Sequence, residues 1–488
     1  MAVVIVVLVA GSACTPTPNP RPSTTPAPAA TALGPGPGDR RDVHRPELPT
    51  TTCATISSQL DMPDGVASDD QEASPPDTDR LQRALDECAQ ASEAIVAVKL
   101  VTSSAGQDFL SGPLTIPQGV SLVLDSNVTL YASRNPADFQ IAGSPDCGSV
   151  AGSGGGCRAF LSSTARNVGV QSVSATNGSV GRIDGRGGMR MWGRTQSWWD
   201  IAELARESGF QNVPRLLQTD GANNVVLSDV ELRNAPGYHV YASNGDGFTA
   251  WGVRVRTPAS ARNTDGLDVD GTRNVTIAYS YISSGDDGIG IKASTQRTEH
   301  VSVFENHLYG THGLSIGALT AGGVDDVFVH DNTITGVDAF GTPSATSIGV
   351  RIKSASRFGG KVENVTYSDT CIDRVLRPID IDPFYFGLEG KTKPWFTGIS
   401  ITGLSAANSP SGAVMRLNGL DSDHPLGLTM SDVQVDTPNV SSSHAQIAMN
   451  GVTFGGERPH LKGVGVSVTA TQSPITPPIC TFPPFPNA

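Results

Sequence analysis

Short runs of alternating apolar and polar residues recur through the second half of the chain. They are rich in β-branched residues and are separated by glycine, asparagine and aspartate. The first five are NVVLSDVELRN from Asn224, GFTAWGVRVRT from Gly247, NVTIAYSYISS from Asn274, HVSVFENHLYG from His300 and DVFVHDNTITG from Asp326. Two further runs begin at Asn364 and Gly398. Alternation with a period of two predicts short strands that bury one face.

The starts of the first five runs are spaced in the mid-twenties along the chain, with little variation from one to the next. A repeat of this length, built from strands and turns, is typical of a solenoid whose coils stack on one another. Leucine-rich repeats have a similar period, but their LxxLxL pattern is absent here. We therefore predict an all-β fold, a right-handed parallel β-helix in which neighbouring coils lie about 4.8 Å apart.

One early segment, PPDTDRLQRALDECAQA, has the helical period instead. Its apolar positions lie on one helix face, and Asp77 or Thr78 is placed to cap the first turn after the prolines. The positions are Leu81, Ala84, Leu85 and Cys88. We expect this short helix to cover the first coil and to protect its open edge from pairing with another strand.

Stacking converts sequence offsets into distances. Asp286 follows the coil start Asn274 at the same offset at which His312 follows the coil start His300, so both occupy equivalent places on neighbouring coils. Asp265 belongs to the coil before that of Asp286. We therefore expect these three side chains to lie close together. Asp286 and Asp287 are adjacent, so they can share a face only at a turn or bulge.

The next coil follows an insertion, DAFGTPSATS, and contains VRIKS. Arg351 and Lys353 alternate with Ile352, so their side chains point to the same face of a strand. Each of these motifs alone is more often structural, because aspartates are common in turns and in calcium sites, and R-x-K is usually a solvated face. Their order at coil spacing predicts one cleft that contains carboxylates, a histidine and two cations.

Charge and cysteine content narrow the function classes. The formal net charge is −13 and no basic run offsets it, which excludes general binding to nucleic acid and means that an anionic substrate needs a local basic patch. CxxC and HxxxH spacings are absent, so a zinc site is not expected and no metal or cofactor is predicted. Six cysteines after Cys14 suggest disulfides, and of the fifteen possible pairings the sequence-local one is preferred. It joins Cys53–Cys88, Cys147–Cys157 and Cys371–Cys480.

The first residues predict export. MAVVIVVLVAGSAC, residues 1–14, is apolar and too short to cross a bilayer, and its end resembles a bacterial lipobox in which Cys14 would be lipidated. The alternative is an ordinary cysteine, because no Lys or Arg precedes the apolar core and Gly11 replaces the usual leucine. Residues 15–48, rich in Pro and Thr, predict a tether. We expect a secreted or extracytoplasmic monomer, with a possible lipid anchor and one β-helix domain over residues 49–488.

Four stretches in order, NTDG, GDDGIGIK, THGLSIG and VRIKS, resemble the motifs of glycoside hydrolase family 28, the polygalacturonases and their relatives. Upstream, GRIDGRGGMRMWG and SWWD are also similar to this family, and the resemblance spans roughly Gly112 to Tyr385. It implies a right-handed parallel β-helix that hydrolyses an α-1,4 galacturonide bond with inversion. The expected partner is a pectic polysaccharide.

The resemblance also implies roles for the carboxylates. Asp286 would be the general acid, and Asp265 and Asp287 would hold and activate the attacking water. We expect like charges on either side to raise the pKa of Asp286 and keep it protonated. His312 would help to set the charge state of the carboxylates.

The remaining matches concern substrate binding. Arg351 and Lys353 would bind a galacturonate carboxylate, and Tyr385 in DIDPFYF falls where the family often has a substrate-binding tyrosine. Asn263 would orient the site or support its turn, and Lys292 is either a further carboxylate contact or a solvated lysine. The family's GHG is Thr311-His312-Gly313 here, and Gly288 stands where many members have a cysteine.

Three alternatives stay open. The protein could hydrolyse another pectic polymer such as rhamnogalacturonan or xylogalacturonan, although the R-x-K pair favours a galacturonate next to the bond. It could be a calcium-dependent pectate lyase, which needs a calcium cluster and a basic group to abstract a proton. It could be a binding solenoid without activity. For a hydrolase, endo action is favoured over exo action, because no tandem binding module is visible.

Overall fold

The computed structural model describes residues 37–89, 94–471 and 473–486. In chain order, its strands are β1 (Thr52–Ser57), β2 (Val96–Val101), β3 (Asp108–Ser111), β4 (Leu114–Thr115), β5 (Val120–Leu124), β6 (Thr129–Ala132), β7 (Ser149–Ala151), β8 (Leu161–Ser163), β9 (Val168–Ser172), β10 (Arg182–Asp184), β11 (Phe210–Asn212), β12 (Leu217–Asp220), β13 (Asn223–Ser228), β14 (Glu231–Arg233), β15 (Val240–Ser243), β16 (Asp246–Trp251), β17 (Arg254–Arg256), β18 (Leu267–Asp270), β19 (Arg273–Ala278), β20 (Tyr281–Ser283), β21 (Ile289–Lys292), β22 (Thr298–Phe304), β23 (His307–Tyr309), β24 (Leu314–Ile316), β25 (Val324–His330), β26 (Thr333–Thr335), β27 (Ile348–Lys353), β28 (Lys361–Asp373), β29 (Arg377–Asp382), β30 (Trp395–Ala407), β31 (Met415–Asn418), β32 (Leu426–Val435), β33 (Val440–Ser443), β34 (Ala445–Phe454) and β35 (Ser467–Thr471). The helices are α1 (Asp69–Ala73), α2 (Thr78–Ala89), α3 (Pro136–Phe139) and α4 (Trp198–Leu204), and short 3-10 turns cover Pro63–Gly65 and Tyr385–Gly387.

The strands form a right-handed parallel β-helix, as predicted. An 11-stranded parallel sheet runs from β4 to β33, and a 22-stranded sheet makes up the other sides of the coils. Strands from successive coils pair in register, for example β18 with β21, β21 with β24 and β24 with β27. The small antiparallel pair β7–β11 stands apart from the coils.

Inward-facing aliphatic residues of successive coils lie on top of one another and form the core. One such row is Leu267, Ile289, Leu314, Val350 and Ile379, paired in register on neighbouring strands. Each member is at most 3% exposed. Full burial of one such side chain contributes about 1.5–3 kcal/mol, so the stacked rows supply much of the stability of the solenoid.

Left-handed backbone explains the residue types at the coil starts. All seven predicted starts have positive φ, from 52° at Asp326 to 85° at Gly247. Glycine adopts this conformation without a steric penalty, and asparagine and aspartate tolerate it better than most residues. The repeat seen in the sequence therefore marks a fixed backbone position in each coil.

The N-terminal end of the solenoid is covered as expected. Helix α2 buries Leu81, Leu85 and Cys88 and packs against β1, β2, β4 and β5. The Cys53–Cys88 disulfide ties the helix to β1, and the other two predicted disulfides, Cys147–Cys157 and Cys371–Cys480, are also present. No helix of the described residues is long and apolar enough to cross a membrane.

The segment Gly38–Glu47, here called the strap, lies on the outer face of the 22-stranded sheet. Its first residue bonds to Asp326 and its last to Gln171, so it crosses several coils. The compact unit that contains the solenoid begins at Pro37, and the β-helix domain over residues 49–488 stays a prediction. The Pro- and Thr-rich composition of residues 15–48 predicted a tether, and in its described part Asp39 and Arg41 bond to the sheet. The predicted export signal, the lipidation of Cys14 and the first part of the tether lie outside the described residues.

Candidate active site

The site occupies the outer face of the 11-stranded sheet. The turns that enter β18, β21 and β24 carry Asp265, the pair Asp286 and Asp287, and His312 respectively. These strands pair in sequence, so the three turns lie on consecutive coils, as the offsets predicted. Asp286 and Asp287 belong to the turn between β20 and β21, which is how adjacent residues can face one cleft.

Asp286 is held by three hydrogen bonds. Its Oδ1 accepts from His312 Nδ1 at 2.8 Å and from the Asp287 backbone N–H at 2.9 Å, and its Oδ2 accepts from Asn263 Nδ2 at 3.1 Å. Burial alone would raise the pKa of Asp286, but the charge and hydrogen bond of His312 hold it below its ordinary value. The expectation that neighbouring aspartates keep this carboxyl protonated is therefore wrong for the free protein.

Asp287 faces the two cations. Lys353 Nζ donates to both carboxylate oxygens at 3.0 and 2.8 Å, and Arg351 Nη1 lies 3.5 Å from Oδ1. Asp287 is fully buried, and burial opposes its charge. Lys353 and Arg351 nevertheless hold its pKa below the ordinary value. Asp287 is thus a stable anion in this site.

Asp265 differs from the other two carboxylates. Its Oδ2 accepts from Lys292 Nζ at 2.9 Å, while its buried Oδ1 has no hydrogen-bond partner. Burial, partly offset by Lys292 and reinforced by Asp286 and Asp287, raises the pKa of Asp265 to about 6. A carboxylate with a free oxygen and a pKa of this size is suited to accept a proton from a bound molecule.

Lys292 is not a solvated lysine. It is 6% exposed and donates to Asp265 and to Asp268, which is itself fully buried on β18. Burial works against its charge, but the two carboxylates hold the pKa of Lys292 well above its ordinary value. Lys292 therefore acts first on the charge of Asp265, and a contact with substrate remains a prediction.

Arg351 and Lys353 extend from β27 to the same face, as their spacing predicted. The Arg351 guanidinium carbon and Lys353 Nζ lie 5.4 and 5.1 Å from the centre of the Tyr385 ring. Arg351 Nε lies 3.4 Å from Asp380 without forming a hydrogen bond. The guanidinium is thus placed by ring contact and loose ion pairs, and its fork is suited to a planar anion.

Two residues of the site, Asp268 and Thr346, were not predicted from the sequence. In LDVD, Asp268 and Asp270 alternate with Leu267 and Val269. The period of two could therefore have shown that the Asp268 side chain points outward from β18. Thr346, whose hydroxyl lies 2.8 Å from His312 Nε2, comes from the inserted loop before β27. Insertions break the repeat, and no pattern in the sequence indicates where such a loop returns to the site.

Three side chains of the site also have the geometry of a possible metal site. Asp286, Asp287 and His312 each offer a ligand atom, all within 4.8 Å of one another. However, both oxygens of Asp287 accept from Lys353, and Asp286 accepts from His312. Calcium prefers six to eight oxygen ligands and is repelled by a neighbouring ammonium group. These three residues are therefore poorly suited to hold a calcium ion, and the cations beside them are better suited to an anionic ligand.

Comparison with known proteins identifies the family. The sequence profile of the glycosyl hydrolases family 28 matches residues 108–453, which is more than half of the chain. The chain belongs to glycosyl hydrolase family 28. This match includes every catalytic and substrate-binding position predicted from the four motifs.

Relatives within family 28 cover most of the chain. An "Endo-polygalacturonase" of Pectobacterium carotovorum subsp. carotovorum is 40% identical over 73% of this chain and 84% of its own length. A "Polygalacturonase" of Ralstonia solanacearum is 34% identical over 89% of each chain. The solved structure of a polygalacturonase from Erwinia carotovora ssp. carotovora superposes with a TM-score of 0.70 and 34% identity, covering 87% of this chain and all of that one.

The two departures from the usual family 28 motifs have local explanations. A cysteine at position 288 would require neighbouring side chains to shift, because an added Cβ would meet Leu308 Cδ2 at 2.7 Å and Thr311 Oγ1 at 2.8 Å. Thr311 keeps negative φ, so no glycine is required before the histidine. Gly313 does need its type, because its φ is 80° and an added Cβ would lie 1.9 Å from the Gly349 carbonyl oxygen. Neither departure removes a group that faces the carboxylates.

Proposed function

We propose that this protein is a polygalacturonase that hydrolyses α-1,4-galacturonosidic bonds of homogalacturonan with inversion. The observation that carries the proposal is the arrangement of Asp265, Asp286 and Asp287 on neighbouring coils, beside the cations Arg351 and Lys353. Carboxylates supply acid and base catalysis for glycoside hydrolysis, and cations supply affinity for a uronate. The names of the relatives that match most of the chain support the same activity.

In the proposed reaction, a galacturonate carboxylate binds Arg351 and Lys353. Its negative charge offsets cations that lower the pKa of Asp286 in the free protein, and so favours a proton on that carboxyl. His312 Nδ1, 2.8 Å from Asp286, supplies the proton that moves onto the carboxylate. Asp286 then protonates the glycosidic oxygen as the bond between that oxygen and the anomeric carbon breaks.

Water attacks the anomeric carbon from the opposite side in the same step. Asp265 Oδ1 has no other partner and accepts the proton that the water loses, while Asp287 helps to hold the water. The new bond to the water oxygen forms on the face opposite to the broken bond, so the product has inverted configuration. The leaving oxygen gains one proton from Asp286 and the attacking water loses one to Asp265. Exchange with solvent then removes the proton from Asp265 and replaces the one that His312 supplied.

Asn263, Tyr385 and Lys292 support the proposed reaction through their contacts in the site. Asn263 orients Asp286 through its side-chain amide, and Tyr385 lies against both cations where the sugar ring would bind. Lys292 keeps Asp265 from holding its proton too strongly. We propose endo action, in line with the names of two relatives that are 40% and 38% identical to this chain.

The proposal is tested with polygalacturonate in excess EDTA, following new reducing ends and ultraviolet absorbance from unsaturated products. Reducing ends without absorbance are expected from a hydrolase that needs no metal. Activity that is lost with the chelator and produces absorbance would identify a lyase. If neither product forms, the same assay on rhamnogalacturonan and xylogalacturonan decides between another pectic substrate and a binding protein without activity.

Proposed localisation follows from the sequence. We infer that the protein is secreted or lies outside the cytoplasm, because a pectic polymer is too large to enter a cell and the apolar N-terminus predicts export. Lipidation of Cys14 and a monomeric state are part of this proposal. Separation of culture medium from membranes, followed by detection of the protein, tests both the export and the anchor.

A further inference from the structure

A cleft of about 740 Å³ lies on the N-terminal side of the catalytic carboxylates, on the outer face of the 11-stranded sheet. Its floor is formed by β8 and β12. Its rim is formed by residues 154–158 and by β11. The Cys147–Cys157 disulfide and the β7–β11 pair hold this rim in place. The reaction proposed above uses none of the side chains in this cleft.

Arg215 is the main charged group of the cleft. Its guanidinium carbon lies 3.9 Å from the centre of the Tyr241 ring and 5.3 Å from that of Tyr238. Nη1 donates to Gln218 Oε1 at 3.0 Å. No carboxylate of the described residues forms an ion pair with it, whereas Arg351 and Lys353 are both paired. The cation is therefore fixed in place without being neutralised.

The cleft is continuous with the active site through Tyr238. Arg215 lies over the Tyr238 ring, and Lys292 Nζ lies 4.9 Å from the centre of the same ring. Gln218, Tyr241 and Asp268 are also in register on successive strands. Arg215 is three coils from the Asp286 turn, a distance of about 14 Å at about 4.8 Å per coil. A polymer bound across the carboxylates and lying along the sheet would pass over Tyr238 toward Arg215.

The rim of the cleft is ordered by its own hydrogen bonds. Asn212 Oδ1 accepts from the Gly156 N–H at 2.8 Å, and its Nδ2 donates to the Ser153 carbonyl oxygen at 3.2 Å. Arg158 follows on this rim and is exposed. A second cation thus lies beyond Arg215 in a protein whose formal net charge is −13. An anion entering this cleft meets these two cations, and Asp220, a carboxylate that also lines the cleft, accepts hydrogen bonds from Ser243 and Asn244.

We propose that Arg215, supported by Tyr238 and Tyr241, binds the carboxylate of a uronate unit remote from the cleaved bond and so favours long polyuronide chains over short oligomers. The guanidinium presents a planar fork that matches a carboxylate, and the tyrosine rings orient the fork before the ligand arrives. A trimer that spans the carboxylates does not reach Arg215, while an octamer does. The proposal rests on the proposed polygalacturonase function and adds a determinant of chain length to it.

Arg215→Ala, Arg215→Lys and Arg83→Ala test the proposal, with kcat/KM measured on trigalacturonate and octagalacturonate. Arg83 is an exposed arginine on α2 outside the cleft and serves as the matched control. We expect Arg215→Ala to lower kcat/KM about tenfold on the octamer, mostly through KM, since it removes one charge-assisted hydrogen bond. The trimer value should change less than twofold, Arg215→Lys should lie between, and Arg83→Ala should match the wild type.

An unchanged ratio of octamer to trimer kcat/KM in Arg215→Ala would overturn the proposal. If Arg215→Ala does not fold, Arg215→Lys alone decides, because it keeps the charge and the contact with the rings but loses the fork. If the wild type cleaves neither oligomer, the proposed function fails. Calorimetry of octagalacturonate binding to the wild type and to Arg215→Lys then decides on the subsite separately, with equal affinities contradicting it.

Discussion

Two outer faces of the same coils carry chemically different side chains, small and neutral on one face and charged on the other. On β16, β19 and β22, the outward residues Thr249, Thr276 and Ser302 are small and neutral, and the strap bonds to all three. On β18, β21 and β27 of the cleft face, outward positions carry Asp268, Lys292, Arg351 and Lys353. The coil gives both faces the same spacing, so the difference comes from which side chains project.

The two faces also differ in how completely their charges are satisfied. In the strap, the Asp39 carboxylate accepts from the Arg41 guanidinium, the Arg41 backbone and the Thr276 hydroxyl. In the cleft, Asp265 Oδ1 has no partner, although it is buried. An unsatisfied buried acceptor costs free energy, so it persists where a ligand or water completes it. The strap carboxylate is thus fully paired within the protein, whereas the cleft carboxylate keeps one oxygen for a bound molecule.

Removing a carboxylate should affect kcat most strongly on the cleft face and little on the strap face. Asp286→Asn should lower kcat about 10²- to 10⁴-fold on polygalacturonate, because it removes the proposed general acid, while substrate still binds. Asp246→Asn, on β16 beside the strap, is the matched control, since Asp246 is paired with Arg273 away from the cleft. Steady-state kinetics and calorimetric binding check both variants. A rate for Asp286→Asn close to that of Asp246→Asn would contradict the assigned role.

The dependence of kcat/KM on pH tests whether Asp265, the carboxylate with an unpaired oxygen, is the base. The base must be ionised, and the pKa of Asp265 is raised to about 6, so activity is lost as pH falls through that value. We expect log(kcat/KM) to decline with a slope near one below about pH 6. Initial rates between pH 4 and pH 8 measure this. A rate that stays constant down to pH 4.5 would show that Asp265 has an ordinary pKa or is not the base.

A smaller effect is expected from the inserted loop. Thr346→Val removes the hydroxyl next to His312 Nε2 and should lower kcat about fivefold, the equivalent of one hydrogen bond of about 1 kcal/mol. Thr346 acts through His312, so the pH at which kcat is half-maximal should shift as well. Thr346→Ser keeps the hydroxyl and should restore both values. If Val and Ser variants lose activity equally without a pH shift, the loop only supports the fold.

The smallest effect on activity is expected from the strap itself. Asp39→Asn weakens the bonds to Arg41 and Thr276 and should lower the free energy of unfolding by about 1–3 kcal/mol. The kcat of the folded protein should be unchanged, because the strap lies on the other face. Denaturant unfolding together with activity at low temperature tests this. A fall in kcat without a loss of stability would mean that the strap acts on the cleft.

Much of the fold could be predicted because the β-helix repeats. The coil starts, the capping helix α2 and the three disulfides follow from period, composition and local pairing. The same equal offsets brought Asp286 and His312 together. The strap could not be predicted, because its contacts join Gly38 to Asp326 across 288 positions and no repeat relates them.

The residues of the site could be predicted better than the directions of their pKa shifts. Motifs placed Asp265, Asp286 and Asp287, but the direction of each pKa shift depends on hydrogen bonds that sequence does not give. Asp286 was expected to be protonated, and three donors instead stabilise its charge. Lys292 is buried between two carboxylates, a geometry that only the stacked coils reveal.

Proton NMR of the first product tests directly whether this set of carboxylates inverts the configuration of the anomeric carbon. The reaction is followed within the first minutes on an oligogalacturonate, before the new reducing end equilibrates between its anomers. We expect the β-anomer to appear first from the α-linked substrate, and we expect Asp286→Asn to form neither anomer at a comparable rate. An initial α-anomer would mean retention through a covalent intermediate and would contradict direct attack by water.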